Sequence, residues 1–443
     1  MRIPLLAAAI MLPMATAVLA CGEKKACSYE ENFSTDVLGD GSWTLVLDGE
    51  VPEGAAAFWR QEEGMDGGGC VFISSPERAQ VSVCHDVEGL DPERIYRVSA
   101  FLKTSGVSEG RGAVLTVETE NTDQEWNASE FCYGDSDWKK VYVDFVPAAT
   151  GKAQIRCRLG DHEGTYNGGT AHGKVWWDCI SLREILPEEL CIREGKHIRL
   201  ALDTDKVCVS DSTLDSWLAN LDSVYESYSR LVGGTPFNGS RITILTTPGV
   251  EAGYWALAGN PILWNNHVGI DKSLLSTRDN GDWNFGVMHE IGHTFSGYCR
   301  PDGSRTNSIW NWNDEIFANF RMSYALEDCG GRMGQRGVFY TGAENMNYYK
   351  IAYDETIGAG VAKNNGDALH YTFMRIARKY GWKVYEEAFR LLYALEEGET
   401  AMLKTDYDKF CFFLSYVSKA AGEDVCKTCY SQKELELIEE SLK

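Results

Sequence analysis

Residues 285–295 read Phe-Gly-Val-Met-His-Glu-Ile-Gly-His-Thr-Phe. Apolar residues at 287, 288, 291 and 295 recur at helical spacing, so the segment predicts a helix with one face in a core. His289 and His293 lie four residues apart and share a face of that helix. Two imidazoles set into a buried helix are costly unless something binds them, and this spacing lets both reach one ion. The chain must therefore fold so that a further ligand meets this helix from elsewhere. Glu290 projects beside such an ion rather than onto it. There it can take a proton from water activated by the metal and deliver it to a leaving amine. A nitrogen-rich tetrahedral set favours Zn2+ among the divalent ions.

The third ligand is not supplied locally. In the pattern H-E-x-x-H-x-x-G-x-x-H the glycine and last histidine would fall on Ser296 and Cys299, and neither matches. Asn313-Asp314-Glu315-Ile316-Phe317-Ala318-Asn319-Phe320 predicts a second buried helix, with room before it for a loop and an antiparallel return. Glu315 is the first candidate on it, Asp314 competes, and Cys299 as a thiolate is a third option. Asn319, one turn after Glu315, can hydrogen-bond a metal-bound histidine and fix its tautomer.

The rest of the chain changes character near Pro187-Glu188-Glu189. Before it, short runs rich in β-branched and aromatic residues predict strands: Val71–Ile73, Val81–Val83, Tyr96–Phe101, Val114–Val117, Val141–Phe145, Ala153–Cys157 and Val175–Trp177. Gly- and Asp-rich turns separate them at a spacing that suits a sandwich. After it come a strand at 197–202, a helix from Asp211 or Ser212 to Leu231 closed by Gly233-Gly234, and a strand at 241–245. Helices are then expected at 283–297, 313–327, 366–380, 382–396, 406–421 and 432–441. The organisation is multidomain, with 28–187 an all-β domain and 188–443 an α+β domain with a helical C-terminal half.

The two histidines, Glu290 and the Asp314–Asn319 helix together resemble the gluzincins, and more narrowly the enhancin-like, mucin-degrading metallopeptidases. Ala252-Gly253-Tyr254-Trp255-Ala256-Leu257-Ala258-Gly259-Asn260-Pro261 and the Tyr380-Gly381-Trp382 helix pair add to that likeness, which spans about 195–430. It implies a zincin-type domain with Zn2+ on His289, His293 and Glu315, Glu290 as general base, and cleavage of host glycoproteins. Such a site also needs an edge strand for the substrate, for which His267-Val268-Gly269-Ile270 is the candidate. It needs an oxyanion donor too, for which His370, Tyr371 and Tyr353 are candidates against the alternative of plain core packing. Tyr96–Lys103, Asp137–Val141 and Val175–Leu182 resemble jelly-roll carbohydrate-binding modules, with Trp59, Trp126, Tyr133 and Tyr166 as candidate sugar platforms.

The N-terminus predicts export. Arg2 precedes an apolar run to Ala20 that is interrupted by Pro4 and Pro13, as in a signal peptide over 1–20. Val18-Leu19-Ala20-Cys21 resembles a bacterial lipobox, which makes 21–27 a tether with a lipidated Cys21 as its membrane contact. Ordinary cleavage after Ala20 leaves a soluble, secreted chain instead. Fourteen cysteines suit an exported protein with a disulfide pool and at least one free thiol, and no partner histidine makes Cys426-x-x-Cys429 a metal knuckle. A net charge of −23 argues against nucleic acid as a partner. The partners expected are a protein or glycoprotein substrate and a glycan. The competing reading is a non-catalytic glycan-binding surface lipoprotein that keeps a zinc-binding domain. A glycoside hydrolase needs two facing carboxylates, and no such pair is identifiable.

Overall fold

The computed structural model describes residues 28–119, 127–161, 169–250, 253–297 and 306–443. The expected signal peptide and tether (1–27), together with Trp126, Tyr166 and Cys299, lie outside the described residues. The N-terminal region consists of β1 (Tyr29–Glu31), β2 (Thr44–Asp48), β3 (Ala56–Arg60), β4 (Cys70–Val87), β5 (Tyr96–Ser108), β6 (Ala113–Thr119), β7 (Gly134–Phe145), β8 (Ala153–Leu159) and β9 (Ala171–Glu184). All of their pairings are antiparallel.

Val71–Ile73 and Val81–Val83, which read as two strands in the sequence, are two halves of β4. Its first half pairs with β3 and β9, and its second with β2 and β8. The register shifts between Ser75 and Ala79, where Pro76 has no N–H to give to a ladder. One strand thus passes from one sheet into the other, and Ile73, Val83, Leu102, Val143, Ile155 and Trp177 close the space between them as a single core.

The second region has its own sheet, ordered β10 (Leu190–Glu194), β11 (Ile198–Asp203), β12 (Ile242–Thr247), β14 (Ile262–Asn265), β13 (Ala256–Leu257). The three inner strands are parallel and both edges antiparallel. Helix α1 (Asp211–Val232) makes the crossover from β11 to β12. Ser210 caps its start by accepting from the Thr213 N–H, and Gly233 ends it at φ 77°.

β11 and β12 are buried along their whole length because both faces of the sheet are covered. Ile198, Leu200, Ile244 and Trp264 face α1 and the helical core. Ala201, Leu245 and Leu263 alternate to the other face, where Ile95 and Ile185 of the N-terminal region join them. The two regions therefore meet through an apolar seam.

Helices α2 (Ile270–Asn280), α3 (Phe285–Thr294) and α4 (Asp314–Cys329) follow, then the hairpin β15 (Arg332–Gln335) and β16 (Val338–Thr341). The C-terminal part is helical: α5 (Met346–Glu355), α6 (Gly366–Tyr380), α7 (Lys383–Leu392), α8 (Glu397–Thr400), α9 (Asp406–Ala421), α10 (Val425–Cys429) and α11 (Gln432–Leu442). Among the described residues no helix is long and apolar enough to cross a membrane. Every described cysteine is a free thiol, which corrects the expected disulfide pool for these residues. Cores of this size hold without covalent ties.

Beside the seam, Arg97 donates to both oxygens of buried Asp144, at 2.7 Å each, and to Glu189 at 2.7 Å. Glu189 also accepts two bonds from Arg183, at 2.6 and 2.7 Å. The hydrogen bonds from Arg183 and the neighbouring positive charge hold the Glu189 carboxyl down at about 2, against the opposing effect of burial. Its folded pKa lies below the unfolded value, so its contribution is complete above ~4.3 and disappears as pH falls towards the folded value. Glu189→Gln is expected to cost about 1–2 kcal/mol at pH 7. In urea titrations the gap to wild type should close between roughly pH 4.3 and 2. A gap independent of pH would refute the ionic account.

Candidate metal centre

α3 is seated by its neighbours before any ligand is considered. The Tyr228 hydroxyl of α1 donates to the Met288 carbonyl at 2.9 Å, and the Trp217 indole donates to the Trp283 carbonyl at 3.0 Å. Phe295 is wedged edge-on against Tyr225 and Tyr228. At Gly292 a Cβ would lie 2.9 Å from the Ala318 carbonyl oxygen and 3.1 Å from its Cα. Glycine at 292 therefore lets α3 and α4 approach backbone to backbone.

That approach brings the three expected ligands together. Nε2 of His289 and of His293 are 3.0 Å apart, and the Glu315 carboxylate lies 3.0 Å from the first and 3.5 Å from the second. One ligand atom from each of the three residues fits within 4.8 Å. The other ring nitrogens are engaged from behind. His289 Nδ1 meets Asn319 Oδ1 at 2.9 Å and His293 Nδ1 meets Asp314 Oδ2 at 2.5 Å. With both Nδ1–H groups donating, both Nε2 atoms face the common point, the ring orientation a metal requires. Asp314, the competing ligand in the sequence, thus orients His293 instead.

The ionisable groups of the cluster shift one another strongly. Glu315 is held well below the usual carboxylate range by its hydrogen bonds with His289 and His293. Burial disfavours a charge on His293, yet its hydrogen bonds to Asp314 and Glu315 prevail and raise it to about 10. Burial likewise opposes the charge on Asp314, but His293 and Arg321 hold it down at about 2. Glu290, by contrast, is pushed up by burial, against the pull of the two histidines. Two imidazoles and a carboxylate converging on one point could hold a metal ion, and a carboxyl with a raised pKa beside them can carry a proton in either direction.

Sequence reasoning missed the support under this cluster. Arg321 is fully buried and donates to the Gly292 carbonyl at 3.1 Å, to Ser296 Oγ at 3.0 Å and to the Tyr393 hydroxyl at 3.0 Å. Ser296 donates to Asp314, and Asn311 adds a bond to the same oxygen at 2.7 Å. An arginine amid the apolar residues of the second helix was the one available signal. The others come together only through the fold.

Other expected residues are not brought to the site. His370 is completely buried, 3.8 Å from the Tyr349 ring and edge-on to Phe320. Burial lowers its pKa to about 3. A neutral imidazole enclosed in this way cannot meet a substrate oxyanion, so its role is packing. Tyr371 packs its ring at a tilt against Tyr353, with centroids 4.8 Å apart, and the Tyr353 hydroxyl is committed to Glu434 at 2.6 Å. Residues 267–270 are a turn and the first residue of α2, not an edge strand, because Gly269 starts that helix at φ 77°. The edge is β13, which packs against α3. Just before it, the Trp255 ring covers Gly286, where a Cβ would come within 2.5 Å. Phe285 and Tyr348 add an aromatic wall beside His289. Of the aromatics read as sugar platforms, Trp59 donates inward to the Phe33 carbonyl, and Tyr133 is half exposed with its hydroxyl on the Gly110 carbonyl.

No family model and no curated protein matches the chain. Among solved structures, a conserved protein of unknown function from Bacillus anthracis str. Ames is similar over 80% of this chain and 75% of its own, at 13% identity and TM-score 0.42. A xylan-binding domain from Paenibacillus barcinonensis is similar over 35% of this chain and 93% of its own, at 12% identity and TM-score 0.25. A module in complex with β-1,4-galactotriose is similar over 35% and 99%, at 16% identity and TM-score 0.25. Likeness this distant does not bear on the chemistry of the site.

Asp314→Asn is expected to weaken zinc binding about 10–100-fold in chelator competition, because it loosens His293. Since the hydrogen bonds of His293 to Asp314 and Glu315 favour its protonated form, zinc binding should release about one proton. Calorimetry in two buffers of different ionisation enthalpy reads that number, and affinity should fall as pH is lowered. No proton release at pH 7 would contradict the charge balance described above.

Proposed function

We propose that the chain is an exported zinc-dependent endopeptidase of the gluzincin type, acting on glycoproteins such as mucins. Its N-terminal jelly-roll domain contacts the glycan, and the chain is either secreted or held at the cell surface by a lipid on Cys21. The observation that carries the reading is the convergence of His289, His293 and Glu315 on one point, with Glu290 beside it. Zinc, when bound, supplies a Lewis acid that polarises the scissile carbonyl and makes water a nucleophile at neutral pH. Glu290 takes the proton of the attacking water on its carboxylate and passes it to the departing nitrogen. Its raised pKa suits that return step. Asn319 and Asp314 hold the two imidazoles in register. β13, the edge strand against α3, offers backbone groups to an extended peptide. The retained general base speaks against a purely adhesive protein, for which Glu290 would have no use.

The test pairs wild type with Glu290→Ala on a mucin-type glycoprotein, with products read by mass spectrometry and metal by elemental analysis. Equimolar zinc in both is expected, with peptide-bond cleavage at least about 100-fold lower in the variant. Zinc in both without any peptide cleavage would favour the glycan-binding surface lipoprotein. No bound metal and no activity restored by zinc would sink the proposal.

A further inference from the structure

The outer face of the N-terminal sheet carries a row of residues that neither the core nor the metal centre uses. Register aligns Phe58 of β3 with Phe72 of β4, Phe72 with Trp176 of β9, and Trp176 with Lys103 of β5. These positions alternate with inward Ile73, Trp177 and Leu102, so they share the solvent side. Four adjacent strands span about 14 Å at roughly 4.8 Å each. Phe58 remains 47% exposed, although it is a large apolar side chain on a sheet surface. Phe72 and Trp176 pack with ring centroids 4.9 Å apart.

Cations bracket these rings. The Arg60 guanidinium lies 5.2 Å from the Phe58 centroid and 5.3 Å from that of Phe72, and Lys103 Nζ is 5.5 Å from Trp176. Lys174 is exposed two residues before Trp176 on the same face. Arg60, Lys103 and Lys174 make no ion pair among the described residues. The acids beside this face are already engaged: Glu63 accepts the Trp176 indole N–H at 2.8 Å, and buried Asp178 accepts the backbone N–H groups of Met65 and Cys179. In a chain of net charge −23, three unpaired cations set among aromatic rings form a local exception. Screening over about 8–10 Å at ordinary salt lets such a patch act on its own.

We infer that this face binds an anionic oligosaccharide, one whose sugar rings lie on Phe58 and Trp176 while its sulfate or carboxylate groups meet Arg60, Lys103 and Lys174. Aromatic rings offer an apolar surface to sugar C–H faces, and the guanidinium and ammonium groups supply charge-assisted hydrogen bonds. A neutral glycan would leave the three cations unmatched. The inference rests on the glycan-contacting role proposed for the N-terminal domain and is independent of the zinc chemistry.

Affinity electrophoresis of the full-length protein in gels containing heparin, polygalacturonate or neutral xylan tests it. Heparin carries sulfate in addition to carboxylate and polygalacturonate carboxylate alone, so retardation by heparin only marks a preference for sulfate. Retardation by at least one of them, weakening as salt is raised, is expected. Arg60→Glu combined with Lys174→Glu should weaken it at least tenfold, and Phe58→Ser should weaken it while the melting temperature stays close to wild type. Peptide cleavage by these variants should be unchanged, since no altered residue belongs to the metal centre. Retardation by xylan alone would overturn the anionic assignment and leave the glycan role standing. Retardation by none of the three would overturn both, without touching the peptidase proposal. Undiminished binding to the acidic glycans by the folded charge-reversal variant would also overturn it.

Discussion

Gly292 lies against Ala318 with no side chain between the two helices, and that single contact sets the geometry of everything around the metal centre. Glu315 belongs to a helix whose start is distant in sequence, and it reaches the histidines only because α4 comes this close to α3. Arg321 then pins the arrangement from inside. Its guanidinium ties the last turn of α3, through the Gly292 carbonyl and Ser296, to Tyr393 in the helical half. A buried charge is tolerable there only because those acceptors, and Asp314 at 3.6 Å, surround it.

The same network explains why the ligands are pre-aligned. Each imidazole is fixed by a different residue of α4, so a rotation of that helix would detach both rings at once. Charge is balanced in layers. Glu315 faces the two imidazoles, Asp314 stands behind His293, and buried Arg321 stands behind Asp314.

Much of this was legible in the sequence, because the informative signals were local. The helical period around His289 and His293, the return helix with Glu315 and Asn319, and five further helices follow from spacing alone. What escaped depends on contacts between distant segments. The 267–270 stretch reads as a strand from its composition, but Gly269 in a left-handed conformation starts a helix there instead. The edge position went to a two-residue strand too short to show any alternation. His370 looked catalytic because histidine in an aromatic context has two readings, and only its enclosure by Tyr349 and Phe320 separates them. β4 read as two strands since Pro76 breaks the apolar run, although the backbone continues through the bulge. Jelly-roll topology and zincin kinship rest on resemblance rather than on spacing.

The apolar seam has a mechanical consequence. Ile95 and Ile185 share a core with Ala201, Leu245 and Leu263, so the two regions are joined through packing rather than through a flexible linker. A binding module on a loose tether searches a volume, and its benefit is diluted over that volume. A module clamped to the back of the sheet that supports α3 acts as a ruler. Whatever the outer β face holds sits at one stand-off from His289, His293 and Glu315, and under the proposed function the position of cleavage along a substrate would be counted from the point of attachment.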